Sequence, residues 1–450
     1  MLWVAGHPES RRSKEHLVNM LAGGGTSRAR RSGGTPRQYA CGYKAALSAD
    51  PFCYDALEQL LDNHMLTSDE EKEMLASLKL GGDDQWLLLL YSCKAKKYDQ
   101  VSDLREQFEQ LSCSAPDAPA SPPATSGVPQ PSDSLTNPND GNGTVYRLLR
   151  DNVDVVACQA DWHYHRGEYQ CCYDITHMLL ERDPYHLSCL PTHLAAALEL
   201  HRKNELFLRA HQLMEEHPDR AISWFAVGCY YYCIRNFDSA RRYFSRATQL
   251  SGGFAPAWLG FGNSFAAQDE SDQAMAAYRT ATRLFPGSHL PVLCIGMEYQ
   301  RTNNLPLAEQ FFLQGREICP SDPLVFNELG VLAYRNKDYA GAEQWLRHAL
   351  TLVPAPLSEA WEATVVNLAH SLRKQHQFVE AIQWYERALA LNPCGASTHA
   401  AVAYTYHLQG MLENAISNYH KALGLKPDDS FTHEMLHVAL QEQCTVFSSF

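Results

Sequence analysis

The sequence predicts an all-α solenoid built from stacked pairs of helices, on three observations. Prolines recur on a fixed period: Pro184, Pro218, Pro286, Pro320 and Pro354 are separated by 34, 68, 34 and 34 residues, and Pro393 and Pro427 are again 34 apart. Within each period the same small and large residues return at the same places. Turn-formers divide each period in two, among them Asn236-Phe237-Asp238, Asn303-Asn304 and Asn336-Lys337-Asp338. A self-similar period of roughly 20–50 residues marks an array in which each repeat buries its apolar face only against its neighbours.

Eight repeats fit: 153–186, 187–220, 221–254, 255–288, 289–322, 323–356, 362–395 and 396–429. The 68-residue gap skips one proline, where Gly252 stands, and a five-residue offset follows the sixth repeat. The repeat from Ala255 reads Trp258, Phe261, Gly262, Phe265, Ala274, Tyr278, Ala281, Pro286, and its predecessor reads Trp224, Val227, Gly228, Tyr231, Ala240, Phe244, Ala247. The next two give Ile295, Gly296, Tyr299, Ala308, Phe312, Gly315, Pro320 and then Leu329, Gly330, Ala342, Leu346, Ala349, Pro354. The last two give Leu368, Ala369, Leu372, Ala381, Tyr385, Ala388, Pro393 and Val402, Ala403, Tyr406, Ala415, Tyr419, Ala422, Pro427. This is the tetratricopeptide pattern, W-x2-L-G-x2-Y then A-x3-F-x2-A then P, and it predicts a right-handed superhelical solenoid. Small residues at positions eight and twenty let the paired helices A and B approach. Large residues at positions four, eleven and twenty-four fill the space between that pair and the next. The proline ends helix B because it lacks an N–H and clashes with the preceding turn. The first two repeats are degenerate and are placed by phase, and Phe431–Gln441 reads as a capping helix within a region running over 144–442.

Ahead of the array the chain changes character. Residues 1–38 hold glycine clusters and Arg28, Arg30 and Arg31 without an amphipathic period, and read as a disordered leader. Residues 39–112 read as a helical remnant: Tyr43, Ala46, Leu47 and Asp50-Pro51 look like the end of another repeat. Helices are expected over Phe52–His64, Asp69–Leu78 and Gln85–Lys94, the second capped by Thr67-Ser68-Asp69-Glu70. Residues 113–143, rich in Pro, Ser, Ala, Asn and Gly, read as a disordered linker, and 443–450 as a tail. Thr35-Pro36 and Ser121-Pro122 are minimal proline-directed phosphorylation dipeptides.

Composition narrows the function classes. The 450 residues are 45% hydrophobic, enough for a sizeable core, and the net charge of −13 argues against nucleic acid or an anionic membrane as a partner. Fourteen cysteines follow no disulfide spacing and read as reduced, half-buried small hydrophobes, as in a cytosolic or nuclear protein. No run of 18 apolar residues is present to span a membrane. No Ser/His/Asp arrangement, phosphate-cradling glycine loop or HExxH stands in the chain, so neither catalysis nor a cofactor is expected. His163-Tyr164-His165 followed by Cys171-Cys172 invites a metal reading, but ordinary packing is the expectation.

Longer segments go beyond the generic repeat. These are Leu60 to Leu75, Asp183 to Pro191, Ser223 to Tyr231, Asp272 to Tyr278 and Val292 to Asn304. Together they resemble the cell-division-cycle-sixteen type subunit of the anaphase-promoting complex over roughly residues 39–440. The resemblance implies a non-catalytic scaffold of a ubiquitin ligase acting in mitosis and the cell cycle, found in nucleus and cytoplasm and at the spindle. It implies that the array grips a small accessory subunit and docks neighbouring repeat subunits. Family members carry further N-terminal repeats that make a homodimer, so the resemblance puts dimerisation of this chain in doubt.

In such an array helix A lines the concave face, and positions two, five, nine and twelve point into it. That phase selects Phe225, Cys229, Tyr232, Asn263, Met297, Gln300, Asn327, Tyr334, His370, Arg373, Tyr404 and His407 as a partner-binding groove. Aromatic and aliphatic groups mixed with amides suit an extended or helical peptide. The alternative is a stand-alone adaptor or co-chaperone. Its carboxylate clamp needs lysine at position five, where Phe225, Leu259, Leu293, Asn327, Val366 and Ala400 stand. The arm of an enzyme such as a glycosyltransferase is a third class, disfavoured because repeats run almost to the last residue.

Overall fold

The computed structural model describes residues 36–78, 85–95, 152–353 and 356–448. The expected linker with Ser121-Pro122, Thr35 of the other dipeptide and all but the end of the expected leader lie outside the described residues. Among the described residues there are 21 α-helices and no strand, and no helix is long and apolar enough to cross a membrane.

The chain divides into two compact units. Unit 1 comprises Met1–His165, Tyr169–Ala257 and Leu284–Gly287. Its helices are α1 (Pro36–Ala49), α2 (Tyr54–Asp62), α3 (Ser68–Ser77), α4 (Gln85–Ala95), α5 (Val153–His165), α6 (Tyr169–Arg182), α7 (Cys189–Glu199), α8 (Lys203–Glu216), α9 (Ala221–Cys233) and α10 (Phe237–Leu250). Helices α1–α4 share a core around Leu47, Leu57, Leu60 and Tyr91. Helix α3 starts with a capping box, in which Thr67 and Glu70 satisfy each other's free backbone N–H groups. The turn after α2 is fixed by a backbone bond from Gly287 N to His64 O at 2.7 Å. A Cβ at Gly287 would lie 1.9 Å from the Leu66 carbonyl oxygen, so only glycine fits there.

Unit 2 comprises Arg166–Glu168, Trp258–Arg283 and Ser288–Phe450. It takes most of α11 (Ala255–Ala266) and α12 (Ser271–Leu284), then α13 (Leu290–Arg301), α14 (Leu305–Ile318), α15 (Pro323–Arg335) and α16 (Tyr339–Leu352). It ends with α17 (Glu362–Lys374), α18 (Phe378–Leu391), α19 (Ala396–Leu408), α20 (Leu412–Leu425) and α21 (Ser430–Ser448). The last helix is longer than the expected Phe431–Gln441.

One contact recurs in both units. At position twenty-four of helix B stand Phe244, Tyr278, Phe312, Leu346, Tyr385 and Tyr419, none more than 2% exposed. Each fills the room left by the small residue at position eight of helix A. A Cβ at Gly228, Gly262, Gly296 or Gly330 would come within 2.3–2.6 Å of that facing side chain. In the last two repeats Ala369 and Ala403 share the cluster with Tyr385 and Tyr419. Burying each large side chain contributes roughly 1.5–3 kcal/mol.

Two further devices repeat. The A–B turn places one residue in the left-handed region: Gly167, His201, Arg235, Asp269, Asn303, Lys337, His376 and Gly410. These lie 34 residues apart, except for a step of 39 between Lys337 and His376. Where position four of helix A carries a ring N–H it can donate to the preceding proline's carbonyl oxygen, as Trp224 does to Pro218 at 2.8 Å. His399 does the same to Pro393 at 3.3 Å, and His433 at the start of α21 to Pro427 at 2.9 Å.

Consecutive repeats of unit 2 are also tied at the end of helix A. Arg301 donates to the Ala266 carbonyl at 3.0 Å and to Ser271 at 2.8 Å, and pairs with Asp269 and with buried Glu298. Arg335 donates to the Gln300 carbonyl at 2.6 Å, and Gln375 to the Tyr339 carbonyl at 2.9 Å. The Ala266 and Gln300 carbonyls lie in the last turn of their helices, which leaves them free to accept. The five extra residues before α17 carry a 3₁₀ turn, Glu359–Trp361. Trp361 is buried and its indole donates to the Arg166 carbonyl at 3.1 Å.

Two glycine substitutions test the turn geometry with opposite signs. Gly410 has φ +74° and open space around it, so Gly410→Ala is expected to lower stability by about 1–2 kcal/mol. Gly424 lies exposed inside α20 with nothing near its missing Cβ, so Gly424→Ala is expected to raise stability by up to about 1 kcal/mol. Denaturant unfolding of the two variants measures both.

Candidate peptide-binding groove

The twelve groove positions fall into two groups, three in unit 1 and nine in unit 2. In unit 1, Phe225 and Cys229 are buried inside α9 packing rather than displayed. Phe225 meets Phe244 and Phe254 with ring centroids 5.6 and 5.2 Å away. Burial pushes the Cys229 thiol far above its ordinary range, so it stays protonated. Tyr232 is half-buried, edge-on to Phe237 at 5.3 Å.

In unit 2 the selected positions of the helices A differ in exposure. Asn263 of α11 is exposed and accepts a 2.6 Å hydrogen bond from the Tyr278 hydroxyl. On α13, Met297 is 41% exposed while Gln300 is buried, with its side-chain oxygen unpartnered. On α15, Asn327 is buried and Tyr334 is half-buried, edge-on to Tyr339. The lower part, on α17 and α19, is a ring network. His370 bonds the Tyr385 hydroxyl through Nδ1. The Arg373 guanidinium lies 5.2 Å from the Tyr404 ring centroid, and Tyr404 meets Phe431 edge-on at 5.9 Å. His407 reaches the Tyr419 hydroxyl at 3.4 Å and Glu442 of the capping helix at 3.0 Å.

Sequence phase passed over a polar row next to these residues. At position six stand Cys294, Glu328 and Asn367. Asn327 donates to Glu328 at 2.9 Å and accepts from Asn367 at 3.4 Å. Burial raises the Glu328 carboxyl pKa, opposed by the Asn327 bond and by Arg335. Burial also pushes the Cys294 thiol up to about 12, with Glu298 and Glu328 adding to the shift. Position six lies one residue from position five on the same helix, and a wider stripe would have included it. Elsewhere, in unit 1, His163 and His165 stack edge-on against neighbouring Trp162 and Tyr164, while Cys171 is exposed and Cys172 buried.

Models of the tetratricopeptide repeat match residues 225–289, 296–355, 364–393 and 396–429. Over 402 residues the chain is 53% identical to anaphase-promoting complex subunit 6 of Arabidopsis thaliana, covering 89% of this chain and 70% of that protein. Over 380 residues it is 41% identical to the cell division cycle protein 16 homolog of Homo sapiens, covering 82% of this chain and 56% of the human protein. The chain thus spans little more than half the length of the human relative. The crystal structure of the APC/C hetero-tetramer Cut9–Hcn1 aligns with a TM-score of 0.69 at 33% identity, covering 94% of this chain and 76% of that one.

The lower groove makes a pH prediction. Burial, helped by Arg373 and Lys374, holds the folded His370 pKa down at about 4, against about 6.5 when unfolded. The unfolded chain therefore takes up a proton that the folded one refuses, and stability falls as pH drops from 6.5 towards 4. The loss attributable to His370 is about 2 kcal/mol at pH 5. Unfolding curves at pH 7 and pH 5 should show that His370→Gln removes this part of the slope.

Proposed function

The chain belongs to the family of anaphase-promoting complex subunit 6 and cell division cycle protein 16, and on that premise we propose that its second unit holds a partner polypeptide within that complex. The protein is a non-catalytic tetratricopeptide scaffold of the anaphase-promoting ubiquitin ligase, serving cell-cycle-regulated degradation. The occupant of the groove is an accessory subunit of the Hcn1 kind. The observation that carries this reading is the lining itself: the exposed Met297 and the half-buried Tyr334, Arg373 and Tyr404 stand on successive helices A of one unit. Apolar groups there fill against side chains of an extended or helical segment, while the exposed amide of Asn263 holds its backbone.

Unit 1 serves the second role, docking a neighbouring repeat subunit. Leu187, Phe207 and Leu208 are 53%, 49% and 65% exposed on this unit, which favours a partner surface there. The protein acts in nucleus and cytoplasm, with association at the spindle.

Affinity purification of the tagged chain with mass spectrometry tests membership directly. Recovery of other ligase subunits is the expected result, and their complete absence contradicts it. Tyr334→Ala and Arg373→Ala are each expected to weaken capture of Hcn1 by about 1–2 kcal/mol while the array stays folded. Unchanged affinity in a titration would show that the groove lies elsewhere.

A further inference from the structure

Gln300 stands in the last turn of α13, three residues beyond the exposed Met297 and on the same face of the helix. It is only 6% exposed, and its side-chain oxygen is buried without a hydrogen-bond partner. Among the described residues, no other of the twelve groove positions has such an atom. The nearest strong donors are engaged elsewhere. Arg335 reaches across from α15 but bonds the Gln300 backbone carbonyl, at 2.6 Å, and leaves the side chain unmet. Arg301, next in the chain, turns to the preceding repeat, bonding the Ala266 carbonyl and Ser271, and pairs with Glu298. A buried amide oxygen with no donor costs the folded chain stability, and such groups are rare enough that each one calls for a reason. Packing supplies none here, because methionine has the same reach and the same tolerance of a helix without the polar atom.

On the groove reading, we infer that the Gln300 side chain accepts one backbone N–H of the bound segment, at the residue whose side chain covers Met297. The last torsion of a glutamine is soft, so the amide swings its oxygen towards the segment without moving α13. A neutral donor fits this acceptor. A lysine or arginine would be stripped of water against an uncharged amide, a loss that one such bond does not offset. Every residue but proline carries a backbone N–H. The contact therefore fixes the register of the segment and excludes proline at one place in it, while Met297 asks only for an apolar side chain there. Gln300 is a positioning residue for the partner, held ready at a cost to the free chain.

The test titrates the full chain with chemically synthesised full-length Hcn1, unaltered and with single backbone amides replaced by esters, each lacking one N–H. Gln300→Met is expected to weaken binding about tenfold, and to raise the denaturant midpoint of the free chain because the unmet oxygen is gone. One ester variant should show the same loss, and combining it with Gln300→Met should add little. Unchanged affinity of Gln300→Met, a lowered unfolding midpoint, or a loss that adds fully to that of every ester variant would each overturn the assignment. In those cases losses from Tyr334→Ala and Arg373→Ala leave the groove reading intact. If unaltered Hcn1 does not bind at all, the groove reading falls and the role of Gln300 falls with it.

Discussion

Every repeat turns on one steric exchange: helix A gives up its side chain at position eight so that helix B can bury a ring or a leucine there. Phe244, Tyr278, Phe312 and Leu346 occupy space that a Cβ on Gly228, Gly262, Gly296 or Gly330 would claim. Glycine inside a helix costs roughly 0.5–1 kcal/mol relative to alanine, and the buried side chain more than offsets it. The exchange also fixes how helix A is rotated. With position eight locked against helix B, positions five, nine and twelve fall beside that contact, where Phe225 meets Phe244, Asn263 bonds Tyr278 and His370 bonds Tyr385. The core contact thus also sets the position of the side chains beside it.

The constraint explains why so much was legible from sequence. A contact that recurs with the same residue types at the same spacing leaves a period, and the period needs no knowledge of distant parts. The left-handed turn residues follow it as well, and while Gly167, Gly410, Asp269 and Asn303 are types that favour that region, Arg235 and Lys337 sit in it without a telling residue type. Even the degenerate repeat at 187–220 folds as the pair α7 and α8, because its turn at His201 keeps phase with its neighbours.

What the period could not carry was anything set by remote partners. The five-residue offset after the sixth repeat was visible, but not its use: Trp361 is buried with its indole on the Arg166 carbonyl, 195 residues away. The fit of Gly287 against Leu66 is hidden for the same reason. In the groove, phase named residues without grading them. Phe225 and Cys229 are drawn into the core of unit 1, while Glu328, which the phase did not select, accepts a hydrogen bond from Asn327 at 2.9 Å. Periodicity gives a side chain's direction. Depth and hydrogen bonding depend on the neighbouring repeat.

The central claim is that the helices A of unit 2 form the partner-binding surface of an anaphase-promoting-complex scaffold. Hydrogen–deuterium exchange of the chain with and without saturating Hcn1 tests it most directly. A groove occupied as proposed predicts added protection on α13, α15, α17 and α19 and little change on α14, α16, α18 and α20. Protection confined to the helices B, or to unit 1 alone, would contradict it.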